Sequence, residues 1–263
     1  MPLAAASRRE IRSRRVGSGA AATTVHVAVY PRALVSATVV TLPAPEPLHS
    51  WCTRSGVSDA LVGGFFVTPA GPALGEVWRE GRRIPTVPFD PLFAPARACL
   101  HVEGERLTIA PLAALPATPA GDLLQAGPAL VSDGRPIVRD GEDREGFSAG
   151  SSQFDSDITA GRHPRAAIGL DDTRLLAVAT EGRAPGEAGL TLADLAELMA
   201  ELGAREAINL DGGGSTTLVV GGRLVNRPRE ADGRDIHGGR PLLTALAFVD
   251  RAQPGGGPSA ASA

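Results

Sequence analysis

Residues 191–226 read TLADLAELMAELGAREAINLDGGGSTTLVVGGRLVN, and within them a helical pattern gives way to short strands around a glycine-rich loop. Thr191 and Asp194 have the spacing of a capping box, and Gly203 is placed to stop a helix. Between these signals, apolar residues recur at helical spacing at Leu192, Leu195, Met199 and Leu202. We therefore predict one helix that follows Thr191 and ends at Gly203.

Short apolar segments on both sides of this helix predict β-strands. The downstream segments are 207–210, 217–220, 223–226 and 242–249, and the upstream ones are 25–30, 33–41, 59–67, 75–79, 101–109, 129–131, 165–170 and 174–180. The first two upstream segments have the spacing of a hairpin, and Gly63 and Gly64 interrupt the third. We predict an α+β fold in a single domain, with a mixed β-sheet core and few helices.

The two ends of the chain lack an apolar pattern. Residues 1–24 contain five arginines and many small residues, and residues 251–263 consist largely of Gly, Pro, Ser and Ala. We expect a disordered basic arm over 1–24, a folded domain over 25–250 and a disordered tail over 251–263. The polar segment 139–162 is expected to be a long exposed loop in the position of a lid.

The composition argues against several classes of partner. The 263 residues carry 26 basic and 29 acidic side chains, and every basic one is an arginine. A net charge of −3 gives no broad positive surface for nucleic acid, and no run of apolar residues is long enough to span a membrane. Cys52 and Cys99 are too few for a zinc motif; one bridge between them is the alternative, and two free structural thiols are expected. Without a visible signal peptide a cytoplasmic location is expected, with export left open, and the oligomeric state stays unknown.

The loop Asp211-Gly212-Gly213-Gly214-Ser215-Thr216 is the first candidate for chemistry. Three glycines can expose consecutive backbone N–H groups that hold a phosphate or a sugar oxygen, although the same residues suit a plain hairpin turn. The loop lacks the Gly-Lys-Ser/Thr of a Walker motif, and a strand rather than a helix follows it, so nucleotide binding is disfavoured. Asp211 ends a strand, which suits a catalytic carboxylate or a turn cap.

Thr180-Glu181-Gly182-Arg183 also places a carboxylate and an arginine at the end of a strand. The planar guanidinium of Arg183 would fit a phosphate, and the plain alternative is a solvated turn. Arg165 begins an apolar strand, where a surface position is the alternative to phosphate binding.

Several of these segments together resemble a known family. The runs are PRAAIGL (164–170), ATEGRAPG (179–186), the helix TLADLAELMAELGA (191–204), INLDGGGSTTLVVGGRLVNRP (208–228) and RPLLTALAFV (240–249). In order and spacing they resemble the phosphodiester glycosidase family, which includes a lysosomal enzyme acting on N-acetylglucosamine-1-phosphodiesters and bacterial exopolysaccharide-related proteins. Weaker matches are VGGFF (62–66) and QAGPALVSDGRPIV (125–138).

The resemblance implies a hydrolase that cleaves the glycosidic bond of a sugar-1-phosphodiester, with an N-acetylglucosamine phosphodiester as the model substrate. It implies a carbohydrate or sugar-phosphate ligand and no cofactor. A metal at Asp211 and Glu181 stays open, but no histidine lies beside them to suggest zinc. Asp211 and Glu181 are the implied catalytic pair. The implied substrate-binding residues are Arg165, Arg183, Asn209, Gly212, Gly213, Gly214, Ser215, Thr216, Gly63 and Gly64.

Two positions depart from the family pattern. Val62 replaces the asparagine that precedes Gly-Gly-Phe-Phe, and Glu181 replaces the aspartate of Asp-Gly-Arg. Valine removes a donor and an acceptor, so an alternative function is a non-catalytic glycan or glycosyl-phosphate binding protein that retains the fold.

Overall fold

The computed structural model describes residues 8–68, 71–139, 141–148 and 159–251. In these residues the chain forms a single domain of three β-sheets with two α-helices, α1 (Leu48–Ser55) and α2 (Leu192–Glu201). The strands are β1 (Glu10–Val16), β2 (Thr23–Pro31), β3 (Val35–Pro47), β4 (Ala60–Val62), β5 (Val77–Arg79), β6 (Arg82–Arg83), β7 (Ala98–Glu103), β8 (Arg106–Pro111), β9 (Asp122–Gln125), β10 (Ala129–Ser132), β11 (Arg135–Pro136), β12 (Ala166–Leu170), β13 (Arg174–Thr180), β14 (Glu206–Asn209), β15 (Leu218–Val220), β16 (Arg223–Leu224) and β17 (Pro241–Asp250).

The strands form a seven-stranded first sheet and two five-stranded sheets. Their orders are β1-β2-β13-β12-β14-β10-β11, β16-β15-β4-β17-β3 and β6-β5-β9-β7-β8. The single domain with few helices is confirmed. The strand pairs in the sheets are antiparallel, whereas a mixed sheet was expected, and among the described residues parallel pairing is limited to an isolated bridge between Leu74 and Val87. Parallel neighbours need long crossover connections, which a chain with so many tight turns does not supply.

The core lies between the sheets. The larger cluster of buried side chains draws on all three of them, for example through Tyr30, Leu61 and Leu124. A smaller cluster fills the space between the first sheet and α2, where Leu195 and Met199 pack against strand residues such as Val178. The first sheet is therefore covered on both faces, which explains why β12 is buried along its whole length.

The local predictions around α2 are confirmed. The Thr191 hydroxyl accepts from the Asp194 amide at 3.0 Å, and the Asp194 carboxylate accepts from the Thr191 amide at 3.1 Å. Gly203 follows the helix with a φ of 89°, which ends it in the left-handed region. The strands expected over 165–170 and 174–180 are β12 and β13, which pair as a hairpin. Both cysteines are buried and free, and no helix of the described residues is long and apolar enough to cross a membrane.

Two sequence predictions about strand pairing are wrong. The strands over 25–30 and 33–41 do not form a hairpin, because β2 pairs with β1 and β13 while β3 pairs with β17 in the second sheet. The single strand expected over 101–109 instead contains the end of β7, a turn and most of β8, which pair as a hairpin. Both segments had the right residue types, but the turn within 101–109 was missed, and the partner of β3 is remote in sequence.

The disordered arm expected over 1–24 is wrong for the residues that the structure describes there. Strand β1 pairs with β2 along its full length, from Glu10 opposite Val29 to Val16 opposite Thr23. Arg9 donates to the fully buried carboxylate of Asp59 at 3.1 Å, and Tyr30 donates to the same group at 3.2 Å. A buried carboxylate needs such partners, so the segment docks through charge rather than through an apolar face. Of the tail expected over 251–263, only Arg251 is among the described residues.

The exposed loop expected over 139–162 is described only over 139, 141–148 and 159–162, and part of it is buried. Phe147 is fully buried, and the Arg97 guanidinium lies 4.1 Å from its ring centre. The Glu145 carboxylate accepts from the backbone amides of Ala98 and Ala129 at 2.9 and 2.7 Å. Burial raises the pKa of Glu145 to about 7. The segment 143–147 is thus anchored to β7 of the third sheet and β10 of the first, and the lid interpretation of the remainder lies outside the described residues.

We predict that Arg9→Ala destabilises the protein by about 1 to 3 kcal/mol, since it removes a partner of the buried Asp59 carboxylate. Arg12→Ala is the matched control, because among the described residues Arg12 pairs with the exposed Glu10 within β1, and its loss should cost less than about 0.5 kcal/mol. Urea denaturation of the two variants measures the difference. Equal losses would mean that the N-terminal segment contributes nothing through Asp59.

Candidate functional site

The glycine-rich loop is held where the three sheets meet. The Asp211 amide donates to the carbonyl of Gly63, which follows β4 of the second sheet, at 3.1 Å. The Gly127 amide, just beyond β9 of the third sheet, donates to the Asn209 carbonyl at 3.0 Å. The Gly213 amide donates to the Pro164 carbonyl, next to β12 of the first sheet, at 2.8 Å. These bonds fix the residues after β14 relative to every sheet.

Asp211 lies at the centre of this junction. Burial raises its pKa to about 7, against an ordinary value of 3.8, and this shift is partly offset by the Ser215 hydroxyl, the Gly212 amide and the charge of Arg240. Its Oδ1 atom accepts from the Gly212 amide at 2.9 Å. A carboxyl with a pKa near neutrality can both take up and release a proton in a reaction at neutral pH.

Four buried polar side-chain atoms cluster in this short stretch without a hydrogen-bond partner in the described structure. They are Asn209 Oδ1, Asp211 Oδ2, Ser215 Oγ and Thr216 Oγ1. Ser215 Oγ lies near enough to Asp211 to lower its pKa, yet it makes no hydrogen bond of good geometry. Buried polar atoms are nearly always paired in folded proteins, so such a group points to a ligand or to bound water.

Two arginines approach the glycines of the loop. A Cβ placed on Gly213 would lie 3.0 Å from an Arg183 terminal nitrogen, and one placed on Gly214 would lie 2.6 Å from Arg240 Nε. Only glycine permits such close contact at Gly214. Burial lowers the pKa of Arg183, and the like charge of Arg240 lowers it further. The guanidinium groups are therefore close enough to repel each other, and they flank the loop that carries Asp211.

One carboxylate partly balances this positive charge. Glu230 forms an ion pair with Arg240, and the hydrogen bond from Arg240 lowers the pKa of Glu230. The two arginines together with Glu230 leave one net positive charge beside the glycines, so the local electrostatics favours an anion.

Glu181, the expected catalytic partner of Asp211, has both oxygens occupied by the protein. Oε2 accepts from Arg229 at 3.0 Å, and Oε1 accepts from the Arg227 amide at 3.0 Å. His26 Nε2 lies 3.2 Å from Oε1 as well. The glutamate is buried, and it makes an ion pair instead of facing Asp211 as a second unpaired carboxylate.

Other expected binding residues also have contacts within the chain. The buried Arg165 donates from Nε to the Leu190 carbonyl at 3.1 Å and from a terminal nitrogen to the Gly161 carbonyl at 3.2 Å. The Gly212 and Gly213 amides donate to Asp211 and Pro164, so the expectation that the loop offers all its amides to a phosphate is wrong for these two.

The remaining expected binding residues surround the loop. The Asn209 side-chain amide donates to the Gly127 carbonyl at 2.8 Å, which leaves only its oxygen unpartnered. Gly63 and Gly64 pack tightly against neighbouring chain segments, and the Gly64 amide donates to Thr244 Oγ1 at 3.0 Å.

Sequence reasoning missed Arg240 and Glu230. Arg240 is the first residue of the family run RPLLTALAFV, so the resemblance could have pointed to it. The neighbouring residues gave no indication that its side chain would reach Gly214. Glu230 lies in a polar loop without any motif. Within the described ranges, no group of three or more His, Cys, Asp or Glu side chains comes together as a metal site.

Val62, where the family pattern has asparagine, is a buried strand residue. It is fully inaccessible, pairs with Ala245 of β17 and packs in the larger core cluster. Its amide donates to the Thr217 carbonyl at 3.0 Å. The valine side chain therefore contributes to the core.

Comparison with known proteins identifies the family of the chain. Residues 55–249 match the model of the family described as phosphodiester glycosidase, and the chain belongs to that family. No curated protein matches the chain with statistical significance.

Solved structures share the fold at low sequence identity. The catalytic domain of zebrafish N-acetylglucosamine-1-phosphodiester alpha-N-acetylglucosaminidase, auto-inhibited by its pro-peptide, is 19% identical with a TM-score of 0.70, covering 92% of this chain and 83% of that one. A hypothetical protein from Synechocystis is 18% identical with a TM-score of 0.62, and the match covers 92% of this chain but 62% of the other. A putative exported protein from Burkholderia pseudomallei is 18% identical with a TM-score of 0.59, covering 87% and 74%.

We predict that Val62→Asn destabilises the protein by about 1 to 3 kcal/mol and does not increase turnover, because it buries an amide among apolar side chains. Val62→Ala is the control that removes volume without adding a polar group. Chemical denaturation and steady-state kinetics of both variants check the prediction. A gain in catalytic efficiency with asparagine would instead place residue 62 at the substrate.

Proposed function

We propose that this protein hydrolyses the glycosidic bond of a sugar linked through its anomeric phosphate to a second group. The observation that carries the proposal is the pair Arg183 and Arg240 against Gly213 and Gly214, next to the buried Asp211. Each guanidinium has further N–H groups beyond those that bond Glu230 and the Arg229 carbonyl, and such charged donors suit the non-bridging oxygens of a phosphodiester. The unpartnered oxygens of the same loop offer hydrogen-bond acceptors to sugar hydroxyls.

The reaction breaks the bond between the anomeric carbon and the phosphate oxygen and forms one between that carbon and water oxygen. The leaving group is a phosphate monoester, whose negative charge Arg183 and Arg240 stabilise as it develops. Such a leaving group needs little help from an acid, so a second free carboxylate is dispensable. Ionised Asp211 stabilises the positive charge at the anomeric carbon and takes the proton of the attacking water at Oδ2.

The bond that breaks distinguishes this reaction from an ordinary phosphodiester cleavage and from simple binding. An N-acetylglucosamine-1-phosphodiester is incubated with the protein in ¹⁸O-labelled water, and the products are analysed by mass spectrometry. The proposal expects the label in the sugar and none in the phosphate monoester. Label in phosphate would indicate attack at phosphorus, and saturable binding without products would indicate the non-catalytic alternative.

Asp211→Asn should reduce turnover by a factor of about 100 or more, because the amide neither carries charge nor accepts the proton.

The same variant tests the protonation of Asp211. The folded protein keeps a proton on Asp211 up to about pH 7, whereas the unfolded chain releases it near its ordinary pKa of 3.8. The carboxyl thus stabilises the fold at low pH, and that contribution is lost as the pH rises from about 4 to about 7. The melting temperature of the variant relative to wild type should rise over this range and then level off. A constant difference, or turnover near wild type, would contradict the assignment.

Arg183→Lys and Arg240→Lys should each lower kcat/KM for the phosphodiester by at least about tenfold, because lysine keeps the charge but loses the fork. Hydrolysis of an aryl glycoside that lacks the phosphate should change much less. Arg234→Lys serves as the matched control, since Arg234 lies in the same region with a mostly exposed side chain. Equal losses on both substrates would assign the two arginines to folding rather than to phosphate binding.

A further inference from the structure

We infer that Glu181 is a positioning residue that sets the geometry of the two-arginine anion site, and that it is not the acid or base of the reaction. The inference rests on the proposed function, because it explains what holds Arg183 and Arg240 in place at the proposed anion site. It concerns the segment 227–240, called the arginine loop below, which carries Glu230 and Arg240.

The Glu181 carboxylate holds the start of the arginine loop at two points. Oε1 accepts from the Arg227 amide and Oε2 from the Arg229 guanidinium, both at 3.0 Å. The same Arg229 nitrogen lies 3.3 Å from the Gly182 carbonyl, so the contact extends to the neighbouring backbone. The side chains of Glu181 and Arg229 are each 9% exposed, which leaves little water to screen the pair.

The arginine loop in turn holds both anion-binding side chains. Arg183 donates to the Arg229 carbonyl at 3.0 Å, and Glu230, the next residue, pairs with Arg240. A displacement of Arg229 would therefore move the partner of each guanidinium. Arg183 also has a φ of 61°, which a non-glycine residue adopts only when its surroundings impose it.

The charges argue against a direct catalytic role for Glu181. Both Glu181 oxygens already accept hydrogen bonds from the protein, one from a backbone amide and one from a guanidinium, so the carboxylate is engaged behind the loop. His26 Nε2 occupies the remaining space near Oε1 at 3.2 Å. Asp211, by contrast, retains an oxygen without a partner. The two carboxylates thus perform different tasks, one at the ligand and one behind the loop that binds it.

The test compares Glu181→Gln, Arg229→Gln and the double variant in the full chain. Each is assayed for the Kd of inorganic phosphate by calorimetry, for kcat and KM on the phosphodiester, and for melting temperature. Both single variants should raise the phosphate Kd and KM by roughly tenfold, with kcat within about threefold of wild type. The double variant should be no worse than the poorer single one, because both substitutions break the same link. Asp235→Asn is the matched control, since it removes only the exposed partner of Arg229 and should leave phosphate binding unchanged.

Other outcomes overturn the inference. A loss of kcat in Glu181→Gln as large as in Asp211→Asn, with an unchanged phosphate Kd, would make Glu181 catalytic. Additive effects of the two single substitutions would show that they act independently. If Glu181→Gln fails to fold, Glu181→Asp, which keeps the charge on a shorter stem, is judged by the same Kd and kcat criteria. If the wild-type protein turns over the phosphodiester but shows no measurable phosphate binding, the positioning role of Glu181 is wrong and the proposed function stands. If it neither turns over the phosphodiester nor binds phosphate, the proposed function is wrong as well.

Discussion

The hydrogen bonds that tie the backbone after β14 to the ends of strands in all three sheets are the constraint on which the site depends. Asp211, Asn209 and Gly213 each bond to a different sheet or its flanking residue. Because a glycine-rich loop has little conformational preference of its own, it needs such external bonds to hold one geometry. The sheets therefore act as a rigid frame, and the loop is the place where their edges converge.

This frame explains how a charged group can be held inside the protein. Asp211 is buried among backbone bonds that are already paired, so its carboxyl meets few donors and its pKa rises to about 7. Arg183 and Arg240 approach Gly213 and Gly214 of the same loop, and Glu230 pairs with Arg240. The loop thus carries a proton-handling group beside an anion-binding group, which suits the substrate proposed for this site.

The two carboxylates that follow strand ends, Asp211 and Glu181, have different surroundings. Asp211 Oδ2 has no hydrogen bond of good geometry among the described residues, while Glu181 forms an ion pair with Arg229 behind the loop. A buried ion pair contributes little net stability compared with apolar packing, but it fixes orientation. This explains why an arginine loop without regular secondary structure can still present Arg240 at Gly214.

The sequence by itself determined the elements whose hydrogen bonds close within a few residues. The capping box of α2, the hairpin of β12 and β13 and the position of the Asp211 loop all depend on neighbours in the chain, and the family motifs follow the same segments. Only the tertiary structure decided which remote segments meet. Val62 in the core, Arg9 on Asp59, Glu181 on Arg229 and Arg240 beside Gly214 join positions tens to hundreds of residues apart. The types of these residues can be read from the sequence, but the partner of each side chain depends on how the sheets pack. The packing is determined by burial of apolar surface across the whole core and not by a local sequence pattern.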